Sequence, residues 1–108
     1  MESIILFAME KRLPHYPLAE LQARIAEQGI MAFTATALFN AAAMGLSEEQ
    51  ALLVLASLTR SMFYKSMTTQ ADSTIWQDVY HSPALNGKVA YIKLTLQHGA
   101  VVIQFKEK

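Results

Sequence analysis

Cysteine is absent from the 108 residues. That excludes a disulfide, a thiolate nucleophile and a thiolate metal site, and it fits a cytoplasmic protein. Histidine occurs three times, at His15, His81 and His98. None of the spacings suits a metal-binding element, so neither a metal nor a cofactor is expected. No apolar run approaches the ~20 residues of a membrane span, and no membrane partner is expected. The opening stretch Met1–Ala8 is apolar but short and lacks a basic leading region, which argues against a signal peptide. The familiar catalytic signatures are missing as well. There is no glycine-rich phosphate loop, no G-x-S-x-G, no H-E-x-x-H and no acidic pair for two metals. Asp72 and Asp78 lie near a turn and read as solvent-facing. Nor is there an excess of either charge, with Lys+Arg 9 against Asp+Glu 9.

What is present is apolar material in quantity. At 53% hydrophobic and 17% charged, the chain is expected to fold around one modest core as a single domain spanning 1–108. The charges are unevenly placed. Residues 61–108 carry Lys65, Lys88, Lys93, Lys106 and Lys108 against Asp72, Asp78 and Glu107, whereas acids outnumber bases in residues 1–60. A polyanion would therefore find the C-terminal half more attractive.

The strongest local pattern is at the C-terminal end. Two runs rich in β-branched and aliphatic residues flank His98-Gly99, a two-residue hairpin loop of the kind glycine favours. That loop fixes a register. Gln97 faces Ala100 next to the turn; Leu96 faces Val101, Leu94 faces Ile103 and Ile92 faces Phe105, and these last three pairs share one face. On the opposite side Tyr91 faces Lys106, Lys93 faces Gln104 and Thr95 faces Val102. One face is apolar and has to be covered; the other presents a phenol and two amines.

Upstream, Pro17 suits a first helical position, Leu18, Leu21 and Ile25 recur at helical spacing, and Gly29 is placed to end that helix. Ile30–Phe33 reads as a brief strand or packed connector. A cap at Thr34 or Thr36 opens a second helix through Leu38, Phe39 and Ala42, closed by Gly45. Ser47 and Gln50 form a capping-box pattern ahead of a third helix, with Ala51, Val54, Leu55 and Leu58 as its buried stripe and Arg60 in its last turn. The period then changes. Met62–Thr69 and Thr74–Tyr80 read as strands separated by a polar turn at 70–73, and His81–Gly87 as a loop with Pro83 and Asn86-Gly87 as breakers. Helices first and strands after is the order of an α+β domain, an antiparallel sheet formed mainly by the C-terminal half with the N-terminal helices on one face.

Lysine, tyrosine, glutamine and histidine on strands can support metal-free phosphodiester transfer in RNA. The substrate's own 2′-OH is the nucleophile there, so the protein need only stabilise charge on the phosphorane and assist two proton transfers. A second reading is a non-catalytic RNA- or partner-binding module.

Three blocks sharpen this. Phe63-Tyr-Lys-Ser-Met-Thr-Thr69, Thr74-Ile-Trp-Gln-Asp-Val-Tyr80 and Phe105-Lys-Glu-Lys108 closely resemble the MqsR (motility quorum-sensing regulator) toxin family of bacterial toxin–antitoxin systems. The likeness runs from Met9 to Lys108, so residues 1–8 read as an N-terminal extension or an added strand. The resemblance implies a RelE-like fold and a ribosome-independent, sequence-specific endoribonuclease that cuts mRNA at GCU-type sites without a metal. It also implies a cognate DNA-binding antitoxin as partner. Carried over residue by residue, it marks Lys65, Gln77, Tyr91 and Lys106 as catalytic; Lys93 and Lys88 are the further candidates for RNA contact. The chain departs from the family near 81–90. One extra residue precedes Tyr91, and His81 and Ser82 stand where the family is often more basic. Simple alternation leaves one question open. It groups Lys65 with Phe63 and Met67, and Gln77 with Ile75 and Val79, sets that look inward. A bulge, a twist or an edge position would reconcile them with an open face.

Overall fold

The computed structural model describes residues 9–69 and 71–108. The stretch 1–8, expected as an extension or extra strand, lies outside the described residues. The elements run β1 (Glu10–Lys11), α1 (Leu18–Gln28), α2 (Ala35–Ala43), α3 (Glu48–Ala56), β2 (Phe63–Thr68), β3 (Trp76–Pro83), β4 (Val89–Gln97) and β5 (Ala100–Glu107). The strands form one antiparallel five-stranded sheet in sequential order, β1 to β5. The fold is therefore α+β, and among the described residues the N-terminal half contributes β1 to the sheet. No described helix is long and apolar enough to cross a membrane.

Local chemistry accounts for the helix ends. Gly29 closes α1 at φ 60, a left-handed conformation that costs glycine little. Thr34 caps α2 by accepting from the Ala37 N–H, and Ser47 and Gln50 complete a capping box on α3. Pro17 sits at the N-cap of α1, one position ahead of expectation. Ile30–Phe33 is neither a plain strand nor a plain connector. A 3₁₀ turn covers Gly29–Ala32, and Phe33 makes an isolated parallel bridge to Ile103. The buried face of α2 is Ala37 and Ala41, whereas Phe39 is 72% exposed. Small residues face inward because α2 lies close against β5.

The core joins Leu21, Ile25, Ala37, Ala41, Val54 and Leu55 of the helices to Tyr80, Ile92, Leu94, Ile103 and Phe105 of the sheet. The terminal hairpin has the expected register, from Gln97 opposite Ala100 to Tyr91 opposite Lys106. His98 and Gly99 make its turn with φ of 52 and 80.

Three further expectations need correcting. α3 ends at Ala56, so Arg60 lies in a separate 3₁₀ turn, Arg60–Met62, and not in the last turn of that helix. His81–Pro83 continues β3 instead of starting a loop, pairing with Tyr91, Ala90 and Val89. Pro83 is tolerated because it is the final strand residue, where no ladder N–H is needed. Asp78 is not solvent-facing. It is fully buried, and its Oδ1 accepts from the His15 N–H (3.0 Å) and the Ser66 hydroxyl (2.6 Å), its Oδ2 from the Tyr16 N–H (2.9 Å). Asp78 thus pins the segment before α1 to the sheet. Trp76 lies beside it, stacked on the His15 ring at 5.3 Å, with the Lys11 ammonium 4.2 Å from its ring centre.

Candidate active site

The parity question is settled by a bulge. Phe63 pairs with Tyr80, yet Lys65 pairs with Val79, so two β2 residues are accommodated against one of β3 around Tyr64. Phe63 accordingly packs edge-on against Tyr80 on the covered face, while Lys65 emerges on the other. Val79, although fully buried, shares the open-face side, because it pairs with both Lys65 and Lys93. Gln77 has the same parity two residues earlier.

The open face then reads as rows across the strands. Lys65, Val79, Lys93 and Gln104 form one row. His81, Tyr91 and Lys106 form the next. Met67 and Gln77 form a third on the other side. The sheet thus brings Lys65, Tyr91, Lys93 and Lys106 into two adjacent rows. Gln77 is on the same side of the sheet but buried, and four strand residues from the Tyr91 row, about 13 Å along the strand. Lys88 is not on this face. It has the parity of Ala90, which pairs with Glu107 on the covered side, and its ammonium is 3.8 Å from the Glu107 carboxylate.

The lysines differ in their surroundings. The Lys65 ammonium donates to Glu10 at 2.6 Å. That contact raises the Lys65 pKa and lowers that of Glu10. Lys93 is half-buried, and burial, reinforced by the charges of Lys106 and Lys65, lowers its pKa. Lys106 and Lys93 lie 5.2 and 6.0 Å from the centre of the Tyr91 ring. A phenol thus faces two ammonium groups, with a third one row away. Such a surface attracts a phosphate and can stabilise charge that grows on it. Among the described residues, no three His, Asp or Glu side chains converge in a way that could hold a metal ion.

The family described as "Motility quorum-sensing regulator, toxin of MqsA" matches residues 13–107. The mRNA interferase toxin MqsR of Escherichia coli (strain K12) is 43% identical over 100 residues, which cover 93% of this chain and 100% of that protein. The chain belongs to this toxin family. All six positions singled out above fall within the span 13–107.

Several residues of this family member's open face escaped sequence reasoning. Tyr64, the bulge residue, stacks on His81 at 4.5 Å, and His81 in turn lies 5.3 Å from Tyr91. Burial, and then the charge of Lys108, lower the His81 pKa. Thr34, Thr36 and Asn40 of the α2 region meet Tyr91, Lys93, Gln104 and Lys106 around a cleft of about 400 Å³. Nothing in the sequence placed α2 beside β5. The hairpin register, by contrast, already set Gln104 opposite Lys93. Tyr80 is the wrong phenol for surface chemistry. It is fully buried, and burial together with the Asp78 charge pushes its pKa up to about 12.

Proposed function

We propose that this chain is the toxin of a bacterial toxin–antitoxin pair that cuts mRNA independently of the ribosome at GCU-type sites. Its family and its MqsR relative support the coarse part of the reading, an endoribonuclease of the mRNA-interferase kind. The finer part rests chiefly on one observation: Tyr91 and Lys106 are direct cross-strand partners on an open face that also holds Lys65 and Lys93. In this reading the fold is RelE-like, with the helices on one side of the sheet and residues 1–108 forming one domain, of which 1–8 is an extension. The protein works in the cytoplasm and is held in check by a cognate antitoxin that also binds DNA.

The reaction is transesterification. The RNA 2′-oxygen attacks the adjacent phosphorus, the 5′-oxygen leaves, and the products are a 2′,3′-cyclic phosphate and a 5′-hydroxyl. Lys65 and Lys106 stabilise the additional negative charge on the phosphorane. Tyr91 passes a proton at the 2′- or 5′-oxygen. Gln77, further along the face, positions the RNA strand, and Lys93 binds a phosphate. Lys88, on the other side of the sheet, contributes only long-range attraction. A non-catalytic binding module is the second reading. It is favoured by the Lys65–Glu10 ion pair, which neutralises one of the charges that catalysis would use.

The deciding experiment incubates the purified protein and its Lys106→Ala variant with a defined mRNA in excess chelator and maps the ends. The expected result is cutting at one short motif with cyclic phosphate ends, slowed about 10²–10³-fold in the variant. A folded wild-type protein that binds the RNA and leaves it intact would move the assignment to the binding module.

A further inference from the structure

The cleft between the N-terminal turn of α2 and the open side of β4–β5 carries a further inference, which rests on the ribonuclease reading. We infer that it is the subsite for a nucleotide flanking the scissile phosphate, and that Thr36 and Gln104 read the base of that nucleotide.

The volume is the first reason. About 400 Å³ lies within the range of about 300–1,000 Å³ that small-molecule-sized ligands occupy. The lining is the second. Among the described residues it contains Lys93 and Lys106 and no acidic side chain, so its charge calls for an anion. The first turn of α2, capped at Thr34, adds N–H groups at the same end. Lys93 is half-buried there with its ammonium held at reduced basicity, which fits a group awaiting a phosphate. Continuity is the third reason. Tyr91 and Lys106 belong both to the cleft and to the proposed reaction, so a nucleotide in the cleft is covalently joined to the phosphate being cut.

The remaining polar groups sort themselves by what already occupies them. The Thr34 hydroxyl accepts from the Ala37 N–H, and the Asn40 amide donates to the Phe105 carbonyl at 3.0 Å. Both are committed to the fold. Besides the Tyr91 phenol, assigned to the reaction, the Thr36 hydroxyl and the Gln104 amide are the donor–acceptor groups left among the described lining residues, with Ala37 and Phe105 as apolar surface. A hydroxyl and an amide on opposite walls suit the donor and acceptor pattern of a base edge, and such single-stranded readout is how sequence-specific RNA proteins work. Gln104 sits on an edge strand, and Thr36 is exposed on the first turn of α2, so both can be exchanged without opening the core.

The test compares wild type, Thr36→Val and Gln104→Ala on an RNA pool randomised around the cut site, with every end mapped. The expected result is loss of preference at one nucleotide position. The favoured base should be cut about tenfold less well, while the disfavoured bases stay within about twofold. Unchanged preference at every position overturns the inference. So does an equal fall at all sequences, which would assign these residues to the chemistry and not to base reading. Should the wild type cut nothing, the ribonuclease reading fails, and binding of 2′-O-methyl oligonucleotides differing in one base decides the subsite separately. A preference present in the wild type and lost in Thr36→Val supports it; equal affinity for all bases overturns it.

Discussion

Replacing Asp78 with alanine should unfold the protein at far lower denaturant than its distance from the open face suggests. The carboxylate holds three donors: the His15 and Tyr16 N–H groups and the Ser66 hydroxyl, at 3.0, 2.9 and 2.6 Å. Hydrogen bonds to a charged acceptor contribute about 1.5–3 kcal/mol each. The two backbone donors are only partly buried and can recover water, so they count at the low end. Ser66 is fully buried and cannot. Relief from desolvating the carboxylate offsets part of the total. The expected loss is about 3–5 kcal/mol, a large share of the roughly 5–15 kcal/mol that hold a domain folded. Asp78→Asn separates the parts. With Oδ1 retained, the His15 and Ser66 contacts survive, and the new amide confronts the Tyr16 N–H, so about 2 kcal/mol should be lost. Urea unfolding followed through Trp76, the one tryptophan, reads this directly, because Trp76 stacks on His15 within the pinned segment. With a slope of about 1–3 kcal/mol/M, the alanine midpoint should fall by roughly 2 M. A shift below about 0.5 M at unchanged slope would refute the claim that this carboxylate anchors the segment before α1.

Three further outcomes are expected. Glu10→Gln releases the Lys65 ammonium from its 2.6 Å partner and should tighten RNA binding at low salt without slowing cleavage; weaker binding would show that Glu10 orients Lys65 instead of masking it. Gly99→Ala places a side chain at φ 80 and should cost about 1 kcal/mol, lowering the melting temperature by about 4–8 °C with cleavage intact. His15 and His81 both have pKa values lowered from 6.5, chiefly by burial. Since the unfolded chain binds these protons more readily, stability is complete above about pH 6.5 and falls as the pH drops through the unfolded value and on to the lower folded ones. Urea midpoints at pH 7.5 and 5.5 should differ in that direction, and the difference should shrink in a His15→Gln/His81→Gln double variant.

Whatever neighbouring residues settle among themselves was legible in the sequence. The hairpin register followed from one two-residue turn and an alternation of period two, and these alone set Tyr91 opposite Lys106. The capping box at Ser47–Gln50 and the stop at Gly29 were legible for the same reason, each being satisfied within one helical turn. Which side of α2 faces inward was not legible there: Phe39 is exposed and Ala37 and Ala41 are buried, because apolar spacing does not say how near the next layer lies.

Whatever depends on partners far along the chain emerged only from tertiary packing. The bulge at Tyr64 rotates Lys65 onto the open face, and only pairing with β3 shows it. Asp78 looked like a solvent carboxylate until His15 and Tyr16, more than sixty residues away, supplied its donors. β3 ran on through His81–Pro83 because β4 offered a ladder that outweighed the local breaker signal. The cleft beside Lys93 exists only because α2 packs against β5. Turns, caps and alternation act over a few residues, and their energies are written in adjacent letters. Bulges, buried charges and clefts arise where separate segments meet, and folding alone brings those segments together.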